Sequence, residues 1–324
     1  MAQTPSAQTP AARTPFSLPV RIGTRGSPLA LAQAHQVRDM LMRAHGMPED
    51  AFSIVVRTTS GDAIQDRPLS EVGGKGLFTK ELEEGLLADD IDLAVHSMKD
   101  VATVLPDGLG LHAILAREDV RDAFLSPHAA TLEALPQGAV VGTSSLRRQA
   151  QVLRARPDLS VVMFRGNVQT RLRKLDEGVA DATLLACAGL KRMDMLHHAT
   201  SIIETETMLP AVAQGAIGIE TQNDNAAIID LIQPLNDQVT ALCVTAERAF
   251  LRVLDGSCRT PIAGLATLTD GRLSFRGEIL SPDGRHAFAD AREGPAAQAV
   301  SLAQASAHAL LDQAGPDFLA AFAP

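Results

Sequence analysis

Four segments of the sequence place basic or hydroxyl side chains where an apolar strand is followed by a helix. They are Arg25-Gly26-Ser27-Pro28, His96-Ser97-Met98-Lys99-Asp100, Thr143-Ser144-Ser145-Leu146-Arg147-Arg148, and Arg165-Gly166-Asn167 with Arg171. In open α/β sheets, ligands bind at the carboxyl ends of strands, where backbone N–H groups and helix dipoles favour anions. The four junctions therefore predict a cleft for a ligand that carries several carboxylates or phosphates.

Arg147 and Arg148 are the sharpest of these signals. Arginines in the first turn of a helix oppose the helix dipole, so the pair is unfavourable unless an anion lies between them. Such a pair also occurs on solvated helix faces. The three preceding hydroxyl residues favour anion binding instead. Arg165 follows the next predicted strand, and Arg171 lies one turn beyond Asn167, so both are predicted to face the same pocket.

Two further residues could carry chemistry. Asp100 is a lone carboxylate among cations; it is either an ion-pair partner of a neighbouring base or an anion that stabilises developing positive charge and moves a proton. Cys258 lies in the polar segment Asp255-Gly256-Ser257-Cys258-Arg259-Thr260-Pro261, where an adjacent cation favours the thiolate. The alternative for Cys258 is an inert loop residue. Cys187 and Cys243 lie in apolar surroundings and are predicted to be buried structural thiols.

The composition limits the function classes. A net charge of −9 argues against a general nucleic-acid binder, and the chain contains no apolar run long enough for a transmembrane helix. Three widely spaced cysteines predict a reducing, cytoplasmic setting without a disulfide frame or zinc site. Residues 1–16 read as a disordered tail. Few aromatic residues and no evident apolar surface stripe predict a monomer.

The predicted elements give an α/β architecture that positions these residues. Strands are predicted at residues 20–24, 52–57, 91–96, 139–142, 161–164 and 182–187, and helices at residues 28–45, 77–88, 145–156 and 167–177. Residues 60–76 are predicted to form a long mobile loop, of the kind that usually serves as a lid or a binding loop. A helix at residues 238–254, strands at 262–268, 273–280 and 286–291, and a helix at 295–313 predict a final α+β module.

Taken together, these motifs with Ala188-Gly189-Leu190-Lys191-Arg192 and the Cys258 segment closely resemble the porphobilinogen deaminase family, from residue 18 to the C-terminus. The resemblance implies two α/β domains, like those of periplasmic binding proteins, around a cleft, plus a smaller C-terminal α+β domain. It places domain 1 at residues 17–115 and 216–233, domain 2 at 116–215 and domain 3 at 234–324.

The resemblance also implies the chemistry. Four porphobilinogen molecules would lose ammonia and condense head to tail onto a dipyrromethane cofactor, which Cys258 holds through a thioether; hydrolysis then releases hydroxymethylbilane. The implied cofactor-binding residues are Lys99, Ser145, Arg147 and Arg148, with Arg25, Ser27, Arg165, Arg171 and Arg192 for substrate and Asp100 as the catalytic group. The implied reaction requires no metal, nucleotide, nucleic acid or membrane.

The sequence departs from the usual family pattern at four positions. Ala102 replaces a common proline, Ala213 a glycine, Ser257 a glycine, and Glu71 stands at a commonly basic loop position. The strongest alternative function is a solute-binding module that closes on a small anion without catalysis; a phosphate-ligand enzyme is a third. The solute-binding module gives Cys258 no task.

Overall fold

The computed structural model describes residues 16–63, 76–254, 261–315 and 318. The strands are β1 (Val20–Arg25), β2 (Phe52–Arg57), β3 (Leu93–Ser97), β4 (Leu109–Ile114), β5 (Asp122–Leu125), β6 (Val140–Gly142), β7 (Ser160–Val162), β8 (Ala182–Ala186), β9 (Ser201–Ile203), β10 (Ile217–Gln222), β11 (Ile262–Thr269), β12 (Arg272–Leu280) and β13 (Ala287–Pro295). The helices are α1 (Pro28–His45), α2 (Ser60–Ala63), α3 (Lys80–Leu87), α4 (Leu146–Ala155), α5 (Val168–Asp176), α6 (Cys187–Arg192), α7 (Ala226–Ile232), α8 (Gln238–Val253) and α9 (Ala299–Ala314).

Some predictions concern residues outside these ranges. They are the tail up to residue 15, residues 64–75 of the predicted binding loop with Glu71, and the segment 255–260 with Ser257 and Cys258.

The first sheet has the strand order β2-β1-β3-β10-β4. β1 is parallel to β2 and to β3, and β10 is antiparallel to β3 and β4. Val20 and Ile22 of β1 are fully buried beneath α1, which begins at Pro28 after the predicted cap Ser27. Because β1 and β3 are parallel neighbours, their carboxyl ends bring two of the four junctions to one edge of the sheet.

The second sheet has the order β7-β6-β8-β5-β9, and β6 is parallel to β7 and β8 as predicted. β7 ends at Val162, two residues before the predicted end at Phe164. The N–H of Phe164 donates to the Ser144 hydroxyl at 3.0 Å, and its fully buried ring packs over Gly142. Met163 and Phe164 therefore separate Arg165 from the strand, contrary to the prediction that Arg165 closes the strand.

The final unit is an antiparallel sheet of order β11-β12-β13, covered by α8 and α9, which confirms the predicted α+β module. Its core contains Phe250 of α8 and Phe275 of β12, whose ring centroids are 4.9 Å apart. β13 extends to Pro295, beyond the predicted end at residue 291. The sheet lies after α8, so the segment containing Cys258 joins the helix to the first strand of this sheet.

The chain crosses between the two mixed sheets twice, from β4 to β5 and from β9 to β10. Arg117 in the first crossing forms a bidentate ion pair with buried Glu247 of α8, at 2.6 and 3.0 Å. Glu247 also accepts the backbone N–H of Ala213 in the second crossing, at 2.6 Å. Ala213 has a φ of 60°, in the left-handed region that glycine adopts with less strain. After the second crossing, β10 joins the first sheet, and α7 follows it in the chain. The domain limits themselves remain a prediction.

Candidate functional site

The ten predicted site residues that lie within the described ranges all line one cleft, with a cavity volume of about 660 Å³. They are Arg25, Ser27, Lys99, Asp100, Ser145, Arg147, Arg148, Arg165, Arg171 and Arg192. Residues from both mixed sheets contribute, since the carboxyl ends of β1 and β3 face the helices that follow β6, β7 and β8. Seven of the ten are Arg or Lys, although the chain as a whole is acidic, with a net charge of −9.

Asp100 and Arg25 form the first-sheet side of the cleft. Asp100 ends a 3₁₀ turn at Met98–Asp100, directly after β3, and Arg25 ends β1. The Arg25 Nη1 atom is 3.6 Å from Asp100 Oδ2, and the Arg25 guanidinium lies 4.2 Å from the centroid of the Phe78 ring. Asp100 therefore has the basic partner that one interpretation predicts, and 29% of its side chain is exposed. Its role as the catalytic group stays a prediction.

Ser27 and Ser145 occupy helix N-caps. The Ser27 hydroxyl accepts the N–H of Ala30 at 3.3 Å, and the Ser145 hydroxyl accepts the N–H of Arg148 at 3.4 Å. These bonds satisfy one N–H group of each helix end. The two hydroxyl groups also line the cleft, where each hydroxyl hydrogen is available to an anionic acceptor.

Arg147 and Arg148 have an anion between them, and it belongs to the protein. The Asp122 carboxylate in β5 accepts Arg147 Nη2 and Arg148 Nη2, each at 2.7 Å, and Gln214 Nε2 at 3.0 Å. The side chain of Asp122 is fully buried. Burial opposes its ionisation, but the two guanidinium groups outweigh burial and hold the pKa of Asp122 well below its usual range.

Of the remaining N–H donors of Arg147 and Arg148, the Nη1 groups have acceptors and the Nε groups do not, among the described residues. Arg147 Nη1 donates to Gln151 Oε1 and to the Leu209 carbonyl, both at 3.0 Å, and Arg148 Nη1 donates to the Leu184 carbonyl at 2.9 Å. The buried Nε atoms of both arginines find no acceptor among the described residues. The pair is thus fixed by the protein, and its two buried Nε–H groups are left without a partner in the described part of the chain.

Lys99 is exposed in the cleft, next to this arginine pair. Partial loss of hydration among the surrounding protein atoms lowers the pKa of Lys99 to about 8, and repulsion from Arg148 adds to this effect. Water in the cleft still reaches the side chain, which limits the loss of hydration. A carboxylate ligand would reverse the shift, because an opposite charge favours the ammonium form.

If Lys99 holds a carboxylate of the cofactor, as the family resemblance implies, cofactor assembly by the apoprotein should slow as the pH rises through about 8, because neutral Lys99 cannot pair with that carboxylate. The rate is measured as the gain in protein mass after porphobilinogen is added. Lys99→Arg should move the decline to higher pH, because a guanidinium group stays charged. Lys80→Arg, at an exposed lysine of α3, is the matched control and should keep the wild-type profile. A wild-type rate that stays constant well above pH 8 would contradict this expectation.

The other three arginines complete the second-sheet side of the cleft. Arg171 Nε donates to the Gly166 carbonyl at 2.9 Å, and Arg192 Nη2 donates to the Gly215 carbonyl at 2.7 Å. Burial lowers the pKa of each to about 10, and Arg148 and Arg165 add repulsion at Arg171. Arg165 is buried, with Nη2 3.4 Å from the Gly61 carbonyl across the cleft. This concentration of partly desolvated cations favours an anionic ligand.

Cys258 lies outside the described residues, but the structure describes the helix before its segment and the strand after it. α8 ends at Val253, β11 begins at Ile262, and Leu251 and Ile262 both line the cleft. Cys187 and Cys243 are buried, and burial raises their pKa values to about 12 and about 11. The prediction that these two are structural thiols is confirmed.

Asp122 and Gln214 were not predicted from the sequence. Asp122 begins the short apolar strand β5, and its only local signal is a carboxylate at a fully buried strand position. Within the part of the chain that the structure describes, no group of three His, Cys, Asp or Glu side chains could hold a metal ion. The same described part contains no helix that is both long and apolar enough to span a bilayer.

Comparison with known proteins places the chain in one family. The family model described as Porphobilinogen deaminase, dipyromethane cofactor binding domain, matches residues 20–230, and that of the Porphobilinogen deaminase C-terminal domain matches residues 241–312. The porphobilinogen deaminase of Paracoccus denitrificans is 59% identical over 300 residues, which cover 93% of this chain and 96% of the relative. That of Nitrobacter winogradskyi is 58% identical over 302 residues, with the same two coverages.

Solved structures of periplasmic binding proteins are more distant. A periplasmic substrate-binding protein of an ABC transporter from Coxiella burnetii has a TM-score of 0.44 at 11% identity, covering 68% of this chain and 94% of the other. A lipoprotein of the YaeC family from Enterococcus faecalis has a TM-score of 0.40 at 12% identity, covering 68% and 93%. Likeness at this level carries no argument about ligand or activity.

Proposed function

Because the chain belongs to the porphobilinogen deaminase family, we propose that its cleft builds hydroxymethylbilane on a dipyrromethane that Cys258 holds through a thioether. The activity of the family is the deamination and head-to-tail condensation of four porphobilinogen molecules in tetrapyrrole biosynthesis. The observation that carries the assignment of residues is the convergence of seven cations and one exposed carboxylate in a single cleft.

The residues present fit the cofactor. Dipyrromethane carries acetate and propionate groups, and arginine presents planar, paired donors that suit carboxylates. Lys99 and Ser145 line the cleft beside Arg147 and Arg148, whose buried Nε–H groups lack an acceptor among the described residues. These four residues would hold the cofactor carboxylates. When bound, the cofactor supplies the pyrrole α-carbon onto which the substrate units are joined.

The remaining cations would bind the incoming and growing chain. Porphobilinogen carries the same two carboxylate side chains, and Arg25, Arg165, Arg171 and Arg192 with Ser27 line the rest of the cleft. The Arg25 Nη1 atom is 3.6 Å from Asp100 Oδ2, and the Arg25 guanidinium is held over the Phe78 ring. It would therefore orient a substrate carboxylate so that the reacting pyrrole lies beside Asp100.

Asp100 would act on the pyrrole nitrogen. Positive charge develops there when ammonia leaves and again when the new carbon–carbon bond forms. A carboxylate fixed beside that N–H group stabilises the charge and accepts or returns the proton. The carboxylate is open to the cleft and is held at 3.6 Å from Arg25, so the carboxylate is both oriented and accessible.

The proposal also includes a monomer that acts in the cytoplasm and binds neither nucleic acid nor membrane, as the charge and composition predict. A module that only binds a small anion is the rival function. It shares the basic cleft but requires no modification of Cys258, so the two differ in the mass of the purified protein.

Intact-mass measurement tests the proposal. The wild-type protein should carry an extra mass equal to two pyrrole units, located on the peptide that contains Cys258. Cys258→Ala should lose both the extra mass and the activity. Cys243→Ala, at a buried thiol of α8, is the matched control and should retain both. A folded, active wild-type protein of unmodified mass would overturn the assignment of Cys258.

A further inference from the structure

One arginine outside the predicted set touches the loop that carries Asp100. Arg248 of α8 donates from Nη1 to the Val101 carbonyl at 3.1 Å and from Nη2 to the Ala102 carbonyl at 2.6 Å. Its guanidinium is partly buried, and burial lowers its pKa to about 10. Both terminal nitrogens are thus used on the two residues that directly follow Asp100.

The helix that carries Arg248 is itself firmly placed. The preceding residue, Glu247, is fully buried and binds Arg117 of the first crossing and the backbone N–H groups of Ala213 and Ala266. These contacts join α8 to both crossings and to β11. Arg248 therefore holds the loop that carries Asp100 in a fixed position relative to α8.

The same helix leads to the cofactor cysteine. α8 ends at Val253, five residues before Cys258 in the sequence. A thioether at Cys258 would therefore anchor the cofactor to the element that also holds the Asp100 loop. The distance between the reacting pyrrole and Asp100 would depend on this shared support.

The Asp100 loop is anchored by the buried side chains of Met98 and Val101. Among the backbone hydrogen bonds of the described structure, the N–H of Met98 donates to the Ala216 carbonyl at 3.0 Å, and the N–H of Val101 donates to the Met98 carbonyl at a long 3.3 Å. Ala102 does not restrict the backbone as a proline would at this position. Val101 has φ −86° and ψ 128°, the extended conformation that a residue before proline also adopts. The two bonds from Arg248 thus add backbone restraint at Val101 and Ala102 to the packing of the buried side chains.

We propose that Arg248 is a positioning residue for the reaction: by binding the Val101 and Ala102 carbonyls, it fixes Asp100 relative to the helix that leads to the cofactor cysteine. This inference rests on the proposed role of Asp100. Arg248 makes no contact with the substrate in this role, so its removal should slow turnover without weakening substrate binding.

The experiment compares Arg248→Gln and Arg248→Lys with Arg252→Gln in the cofactor-loaded enzyme. Arg252 is exposed one turn further along α8 and serves as the matched control. Arg248→Gln should lower kcat at least about tenfold, with KM for porphobilinogen and the extra mass unchanged. Arg248→Lys should recover part of kcat, because an ammonium group can still reach one carbonyl. Arg252→Gln should behave as wild type.

A second measurement separates positioning from a purely structural or electrostatic role. The effect of Arg248→Gln is measured again in the Ala102→Pro background, where proline restrains the loop independently. A smaller loss of kcat there supports positioning. An equal loss would overturn it, because Arg248 would then act through its charge. Wild-type kcat per loaded enzyme in Arg248→Gln would also overturn it. If Asp100→Asn itself keeps wild-type turnover, the proposed role of Asp100 fails first.

Discussion

Replacing Asp100 by asparagine is expected to give a folded, cofactor-loaded protein that turns over porphobilinogen about 10²- to 10⁴-fold more slowly. The amide has nearly the same shape but no charge, so it can neither stabilise a positive pyrrole nitrogen nor accept its proton. The fold should tolerate the change, because Asp100 is partly exposed and its ion pair with Arg25 is long, at 3.6 Å.

Single-turnover measurements with the loaded enzyme test this expectation, because they separate the chemical steps from product release. Asp107→Asn removes an exposed carboxylate from a nearby turn and should leave the rate unchanged. Asp100→Glu keeps the charge but moves it by one methylene, so its rate should lie between those of Asp100→Asn and wild type. A rate near wild type in a fully loaded Asp100→Asn enzyme would remove Asp100 from the mechanism.

The local signals in the sequence are sufficient for the elements that carry the site. Ser27 and Pro28 mark the start of α1, and β1 covers the predicted strand with one further residue, so both elements appear where predicted. β6, α4 and β8 are also found where predicted, with ends shifted by one residue. Parallel pairing of β6 with β7 and β8 follows from the helices that connect them.

Four strands were not predicted, namely β4, β5, β9 and β10. β10 pairs antiparallel with β3, whose residues lie more than a hundred positions earlier in the chain. β5 lies between β8 and β9 in the second sheet and is only four residues long. Such pairings depend on how the chain crosses between the sheets, and a local pattern of side chains does not contain that information.

The functional site likewise combines features that the local sequence predicts with contacts that it does not. The residue types at strand ends predicted the basic cleft, and the ten described residues do meet there. The anion between Arg147 and Arg148 was predicted as a ligand, whereas the structure shows Asp122 in contact with both. Asp122 lies 25 residues before Arg147 and has no spacing that links it to the pair. Arg248 was missed for the same reason, since its contacts are with backbone carbonyls far away in sequence.

Replacing Asp122 by alanine is expected to lower the free energy of unfolding by about 3–5 kcal/mol, because it leaves two buried guanidinium groups without their shared counter-ion. Asp122→Asn should destabilise nearly as much, since its amide keeps one acceptor but brings N–H donors against the arginine donors. The loss should be greater in the Cys258→Ala background, where cofactor carboxylates cannot partly replace the missing charge and binding no longer stabilises the native state.

Urea denaturation at neutral pH and at lower pH tests the role of Asp122. A carboxylate whose pKa is lowered by folding stabilises the native state fully above its unfolded pKa, about 4, and less as the pH falls below that value toward the folded pKa. Wild type should therefore lose stability in acid, and Asp122→Asn should lose less. Glu177→Gln breaks an exposed pair with Arg173 and should change the denaturation midpoint little. Wild-type stability and full cofactor content in Asp122→Asn would mean that Arg147 and Arg148 do not depend on this internal anion.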